Sequence, residues 1–139
     1  MSFDSVQVDY IKPETLSEMI IANEKKIQVI DVRGRDFGEF GCCIKNAINI
    51  KTSVFIKEKT QEILEKYHSY DYIVIHCMRS QQRGPKCAKH LKSSFIYSKY
   101  YATSSVEIVI LEGGFGRFYN KFYFTPQKDL LFDEIEETE

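Results

Sequence analysis

The chain has 139 residues, of which 43% are hydrophobic and 28% are charged, and its 19 basic and 20 acidic side chains give a net charge of −1. This length fits one domain, and this composition is ordinary for a soluble globular protein. A charge near zero gives no reason to expect nucleic acid or a membrane surface as partner, and no run approaches the roughly 18 apolar residues of a membrane span.

The start of the chain, MSFDSVQVDY, carries an early acid and no basic segment followed by an apolar run, so it does not read as a signal peptide. The four cysteines, Cys42, Cys43, Cys77 and Cys87, are therefore expected as reduced thiols and not as a disulfide framework. Both observations predict a cytoplasmic or nuclear protein.

Strand-like and helix-like segments alternate through the first half. SVQVDYIKP opens with a short alternating strand, a helix follows from Pro13, and the apolar strand KIQVIDV ends near Asp31. The stretch 33–46, with three glycines, is predicted as a loop before a brief strand, AINI. A helix over about 54–68, capped by Thr52 or Ser53, comes next.

The second half continues the alternation. YDYIVIHC is the most strand-like run, and a helix is predicted from Gly84-Pro85. A further buried strand, VEIVIL, meets a Gly-Gly turn, and FGRFYNKF is predicted as a short closing helix. This order predicts an α/β domain over 1–128, with helices on both faces of a central, mostly parallel sheet. Residues 129–139, with six acids in eleven positions, are predicted as a solvated acidic tail.

Cys77 stands where a buried strand meets the beginning of a helix, which is where α/β proteins bind ligands. The helix N-terminus offers unpaired N–H groups and a positive dipole end, so it stabilises a thiolate and attracts an anion. Arg83 is separated from Cys77 by a loop of five residues. Its guanidinium carries a fork of donors that can hold two oxygens of a tetrahedral oxyanion. Cys77 is therefore the predicted nucleophile, and the loop is the predicted oxyanion cradle.

The loop HCMRSQQRGP resembles the H-C-x-x-S-x-x-R-G-P loop of the M-phase inducer phosphatases and the related eukaryotic arsenate reductases, both of the rhodanese-homology superfamily. VIDVRGRDF, GCCIKNAINI and LEGGF resemble further segments of that family in the same order, and the short chain is most similar to the small fungal tyrosine phosphatases of this branch. Sulfur-transferring members have four residues between the cysteine and the arginine position, whereas the five from Met78 to Gln82 are typical of the phosphatase and arsenate branches.

The resemblance implies a cysteine-dependent phosphatase for phosphotyrosine or other phosphomonoesters that needs no metal or cofactor. It assigns Cys77 as the nucleophile and the loop with Arg83 as the substrate cradle, through residues Met78, Arg79, Ser80, Gln81, Gln82 and Arg83. Its partner would be a phosphorylated protein or a small oxyanion. The alternative is arsenate reduction in the same cradle, with glutathione or a glutaredoxin as electron donor. Sulfur transfer and a non-catalytic anion-binding domain are less favoured.

Several roles stay open. The Ser80 hydroxyl is expected either to donate to the Cys77 sulfur or to cap a backbone N–H, and Arg79 either contacts an acidic substrate or is a plain surface charge. His76 is expected to brace the loop from the side opposite Cys77.

The remaining candidates are mostly expected to be structural. Asp31 and Arg33 should fix the adjacent loops, and Cys87 should be packed in the core. Cys42 and Cys43 are either inert loop thiols or resolving partners for an oxidised Cys77. The glutamate that often follows the cysteine in M-phase inducers is replaced by Met78, so no general acid is identified.

Overall fold

A computed structural model describes residues 6–135 of the chain. Five parallel strands form the main sheet, in the order β1-β6-β5-β2-β4, and a separate two-stranded ladder joins β3 to β7. The strands are β1 (Asp9–Ile11), β2 (Ile27–Asp31), β3 (Cys42–Ile44), β4 (Ile48–Asn49), β5 (Tyr72–His76), β6 (Glu107–Leu111) and β7 (Phe132–Glu134). The helices are α1 (Pro13–Ala22), α2 (Thr52–Val54), α3 (Thr60–Tyr67), α4 (Arg83–Ile96), α5 (Gly114–Phe122) and α6 (Lys128–Leu131).

The sheet is buried on both faces because its central strands are runs of β-branched residues that alternate between two cores. One core includes residues of α3 and α4, and the other includes residues of α1, α5 and α6. The alternating strand residues are Ile30, Ile75 and Ile110 in the first core, and Val29, Val74 and Val109 in the second. The predicted fold class, one α/β domain with a parallel sheet between helical layers, is confirmed. Among the helices of residues 6–135, none combines the length and apolar character needed to cross a bilayer.

The parallel strands end at one edge of the sheet, and this edge positions the site. β2 ends at Asp31 and β5 ends at His76, which are register partners in the ladder between the two strands. The next residue after β5 is Cys77. The turn after β6 lies at the same edge and leads directly into α5.

The helix predicted over 54–68 begins earlier and is irregular. It starts as α2, continues as a π-helix over Phe55–Lys59, and ends as α3. The predicted cap is wrong, because the residue before the helix is Lys51 and the Thr52 hydroxyl donates to the Val32 carbonyl at 3.2 Å instead. The first strand is also displaced: pairing begins only at Asp9, and residue 5 lies outside the described residues.

The ladder between β3 and β7 corrects two predictions. Cys42 and Cys43 lie on β3, within the stretch predicted as a loop, and they pair in register with Glu134 and Asp133. The predicted solvated tail is wrong for residues 129–134, since these belong to α6 and β7. Phe132 explains why, because its ring is only 5% exposed and burying an aromatic side chain offsets the ordering of an acidic segment. Residues 136–139 of the tail lie outside the described part.

Candidate active site

The predicted nucleophile lies at the base of the loop between β5 and α4. The Cys77 side chain is 3% exposed, and its Sγ accepts hydrogen bonds from the N–H of Ser80 at 3.1 Å and the N–H of Gly84 at 3.3 Å. Gly84 is the second residue of α4, so one donor is an N–H left unpaired by the helix N-terminus. Two N–H donors on one sulfur stabilise negative charge there, and the thiolate is the nucleophilic form of cysteine.

Helix α5 holds the loop in its orientation. The N–H of Phe115 donates to the Cys77 carbonyl and the N–H of Gly116 donates to the Met78 carbonyl, each at 2.9 Å. This close approach depends on Gly114, which has a φ of +65° and leaves no room for a Cβ atom beside the two carbonyls. The carbonyls of the loop thus face α5, and N–H groups face the sulfur. The predicted Gly-Gly turn is present, and it allows α5 to approach the loop backbone.

Ser80 contributes through its backbone and not through its hydroxyl. Its φ of +53° is left-handed, a conformation uncommon for a residue with a side chain. Its buried Oγ makes no hydrogen bond within the described part of the chain. Both expectations for the hydroxyl are therefore wrong, because the left-handed turn directs the Ser80 N–H to the sulfur instead.

The loop encloses one side of an open cavity of about 410 Å³ above Cys77. Five of the six predicted substrate-binding residues line it, and the exception is Ser80. The lining residues from the loop are Met78, Arg79, Gln81, Gln82 and Arg83. Arg79 is exposed to solvent at this cavity, which is compatible with either of its expected roles.

The guanidinium of Arg83 lies at the cavity rim and is bonded to a residue that the sequence did not single out. Its Nη1 and Nη2 donate to the two carboxylate oxygens of Asp36 at 2.9 and 2.7 Å, and Asp36 itself lines the cavity. The hydrogen bonds from Arg83 hold the pKa of Asp36 below its usual range, and Asp36 in turn raises the pKa of Arg83. Nothing in the spacing signals this pair, because 47 residues separate its members.

A buried polar network ties the neighbouring strand ends to α5. Asp31 and Arg33, both fully buried, form an ion pair at 2.7 Å, and the Arg33 guanidinium lies 4.0 Å from the Phe115 ring centroid. His76 Nδ1 is 3.0 Å from the Cys77 carbonyl and its Nε2 is 3.8 Å from Asp31 Oδ2. Burial lowers the pKa of His76 and keeps the ring neutral. His76 thus contacts the backbone of the nucleophile loop, whereas Asp31 and Arg33 contact each other, the Cys42 carbonyl and Phe115 beside it.

The other thiols lie away from the cavity. Cys42 belongs to the core on the opposite side of the sheet from Cys77, whereas Cys87 shares the core of Cys77. Burial raises the pKa of Cys42 and Cys43 to about 11 and that of Cys87 to about 12. The structure therefore does not bring Cys42 to the site, and a resolving role for Cys42 or Cys43 stays a prediction. Within residues 6–135, no group of three or more His, Cys, Asp or Glu side chains is arranged for a metal ion.

This loop geometry is accompanied by a family match. The model of the rhodanese-like domain matches residues 12–121. The chain belongs to the rhodanese-like domain family. The predicted membership of this superfamily is thus confirmed. Several relatives of the chain are named as phosphatases or as an arsenical-resistance protein, which are the branches that the loop sequence resembles.

Three comparisons describe the relatives. Arsenical-resistance protein 2 of Saccharomyces cerevisiae is 31% identical over 115 residues, which are 78% of this chain and 85% of the yeast protein. The dual specificity phosphatase ibp1 of Schizosaccharomyces pombe is 31% identical over 86 residues, and the match spans 60% of this chain and 59% of that protein's length. The solved structure of Ygr203w, a yeast protein tyrosine phosphatase of the rhodanese family, has a TM-score of 0.73 at 26% identity and covers 95% of this chain and 96% of its own.

Proposed function

We propose that this protein is a cysteine-dependent phosphatase that hydrolyses phosphotyrosine and other phosphomonoesters. The observation that carries the proposal is the Cys77 sulfur at the base of the cavity, which accepts N–H bonds from Ser80 and Gly84. The phosphatase names of ibp1 and Ygr203w support the same reaction class.

The reaction takes two steps. The Cys77 thiolate attacks phosphorus, the bond to the ester oxygen breaks, and the departing oxygen takes up a proton from solvent. Water then attacks the cysteinyl-phosphate, releasing inorganic phosphate and restoring the thiolate. Dividing the reaction in this way replaces one difficult displacement by two easier ones.

The cradle stabilises the charge on the three non-bridging oxygens. A guanidinium carries five N–H donors, and Asp36 occupies one on each of Nη1 and Nη2 of Arg83. The remaining donors of Arg83 supply hydrogen bonds to the bound phosphate, together with N–H groups of the loop.

Arsenate reduction is the second candidate, and the match to arsenical-resistance protein 2 favours it. Arsenate has the charge and shape of phosphate, so the same cradle accepts it. In this reaction Cys77 attacks arsenic, and glutathione or a glutaredoxin supplies the two electrons that reduce arsenate to arsenite.

The phosphatase reaction as proposed uses only groups of this protein and water, with no metal or cofactor. Glutathione enters only as co-substrate in the alternative. The proposed partner is a phosphorylated protein, not a nucleic acid or a membrane. The cytosol or the nucleus is the proposed compartment, and the free state of all four cysteines supports it.

The deciding experiment compares wild-type protein with Cys77→Ser on p-nitrophenyl phosphate and on arsenate with glutathione. p-Nitrophenol leaves readily without a protonated side chain, so the assay does not depend on a general acid. We expect phosphate release by the wild type and a loss of at least about a thousandfold in the variant, because serine lacks an accessible anionic form. Arsenate turnover far above phosphate release would favour the alternative.

Cys43→Ser is the matched control, since it makes the same exchange at another buried thiol. It should retain activity. Equal activity of wild type and Cys77→Ser would remove Cys77 from the mechanism and the proposal with it.

A further inference from the structure

A second groove adjoins the catalytic cavity and shares Arg83 with it. This groove has a volume of about 450 Å³, and the half-buried Ile56 contributes to its apolar surface. Lys51, Lys57 and Lys86 line it as well, and all three are exposed. A segment lying in the groove would therefore enter the catalytic cavity past the guanidinium that closes its rim.

The surface that lines this groove is strongly basic. No acidic residue lines the groove, and no ion pair joins Lys51, Lys57 or Lys86 to a carboxylate within residues 6–135. A neighbouring hollow of about 650 Å³ shares Lys51 with the groove and adds Arg35, and none of the described residues that line it is acidic. Since the whole chain has a net charge of −1, cations are concentrated beside the active site. Such a concentration attracts anionic groups on a substrate.

The backbone next to the groove has an unusual form. Ile56 and Lys57 belong to the π-helical segment Phe55–Lys59, and the Thr60 hydroxyl donates to the Phe55 carbonyl across this segment at 3.2 Å. π-Helical turns are rare and occur frequently at functional sites. Here the segment presents one apolar and one basic side chain to the same groove.

We propose that this groove binds the acidic residues that flank the phosphorylated residue of a phosphopeptide substrate. The inference rests on the proposed phosphatase function and names the substrate class of that site. Carboxylates would pair with the three lysines, while Ile56 and the lysine stems contact apolar parts of the peptide. A nucleic acid fits less well, because among the described residues no aromatic side chain lines the groove to stack on bases.

The test uses two phosphotyrosine peptides that differ only in their flanks, one with Asp and Glu and one with Asn and Gln. The variant Lys57→Ala/Lys86→Ala removes two groove charges, and Lys25→Ala/Lys66→Ala removes two exposed charges away from the groove. We expect the groove variant to lower kcat/KM for the acidic peptide by about three- to tenfold, as for two partly exposed ion pairs. Its kcat/KM for the neutral peptide and for p-nitrophenyl phosphate should stay at the wild-type value, and so should every value of the control variant.

The preference for the acidic peptide should also weaken as salt is raised from about 0.01 to 0.15 M, because the screening length falls from about 30 to 8 Å. Equal hydrolysis of both peptides by wild-type protein that cleaves p-nitrophenyl phosphate would overturn the inference and leave the proposed phosphatase intact. So would an equal loss in the groove and control variants.

Binding separates the two hypotheses if no phosphate ester is hydrolysed. Fluorescence anisotropy measures the affinity of both labelled peptides for Cys77→Ser protein, and it tests binding in the groove without turnover. Tighter binding of the acidic peptide that is lost in Cys77→Ser/Lys57→Ala/Lys86→Ala supports the groove even where the proposed reaction fails. Equal binding of the two peptides, or tighter binding of a single-stranded oligonucleotide, overturns it.

Discussion

Replacing Gly114 by alanine tests how α5 holds the catalytic loop. A Cβ atom at this position would lie 2.5 Å from the Met78 carbonyl oxygen and 2.7 Å from the Cys77 carbonyl oxygen. Both neighbours are backbone atoms, so the contact can be relieved only by moving the loop away from α5. The movement would break the two hydrogen bonds of 2.9 Å that Phe115 and Gly116 donate to these carbonyls.

Gly113→Ala is the matched control, because Gly113 has a similar positive φ of +76°. Its Cβ would instead meet the side chain of Arg117. The Nε and Cδ atoms of that side chain, which is 56% exposed, can move aside, whereas its Cβ at 2.7 Å requires a small shift between the turn and α5. None of the three clashing atoms belongs to the catalytic loop. The left-handed conformation costs alanine about 1–2 kcal/mol in either variant. Gly114→Ala additionally loses two hydrogen bonds of about 0.5–1.5 kcal/mol each.

We therefore expect the free energy of unfolding, measured in urea, to fall by at least about 1–2 kcal/mol for Gly113→Ala and by about 2–5 kcal/mol for Gly114→Ala. Activity on p-nitrophenyl phosphate should separate them further, with little change in kcat/KM for Gly113→Ala and a large loss for Gly114→Ala. If the two variants matched in both measurements, the bonds from α5 would not be what positions the loop.

Three further predictions concern side chains at or near the site. Asp36→Asn should lower the inhibition constant of inorganic phosphate about three- to tenfold, because a carboxylate no longer competes for Arg83; weaker inhibition would instead make Asp36 a positioning residue. Burial holds the pKa of His76 below 6.5, so the unfolded chain protonates first and the free energy of unfolding should decrease as pH falls below about 6.5. The slope contributed is at most about 1.4 kcal/mol per pH unit, and His76→Asn should remove it; identical slopes in urea titrations from pH 7 to 5 contradict this. Phe132→Ala should destabilise the fold by about 3–5 kcal/mol, whereas Phe124→Ala, at a ring 80% exposed, should cost far less; equal urea midpoints would mean that β7 contributes nothing.

Most of the main sheet and the central part of the site could be predicted from the sequence. β2, β5 and β6 are each rich in β-branched residues, and a helix beginning at Gly84-Pro85 is one residue from the observed start at Arg83. Cys77 could be placed because these are local signals: a strand, a short loop and a helix N-terminus in direct succession.

What the sequence did not show depends on distant contacts. β7 is a short acidic segment that becomes a strand only beside β3, and Asp36 becomes part of the site only through Arg83. The Ser80 hydroxyl was misjudged for a different reason. The sequence identifies the side chain of Ser80, but it does not show the left-handed backbone that turns the Ser80 N–H towards the Cys77 sulfur.

The ladder between β3 and β7 has a consequence for how the protein is made. Asn46 follows β3, and its N–H is held by the Asp133 carboxylate of β7, 87 residues later in the chain. At about 5–20 residues per second, a ribosome needs roughly 4 to 17 s to deliver the second partner after the first. Late in that interval the nascent chain contains the nucleophile loop and α5, while the backbone of Cys42 and Cys43 still lacks its companion strand. The thiols of Cys42 and Cys43 would therefore be accessible to oxidants in the growing polypeptide before they are buried in the complete fold.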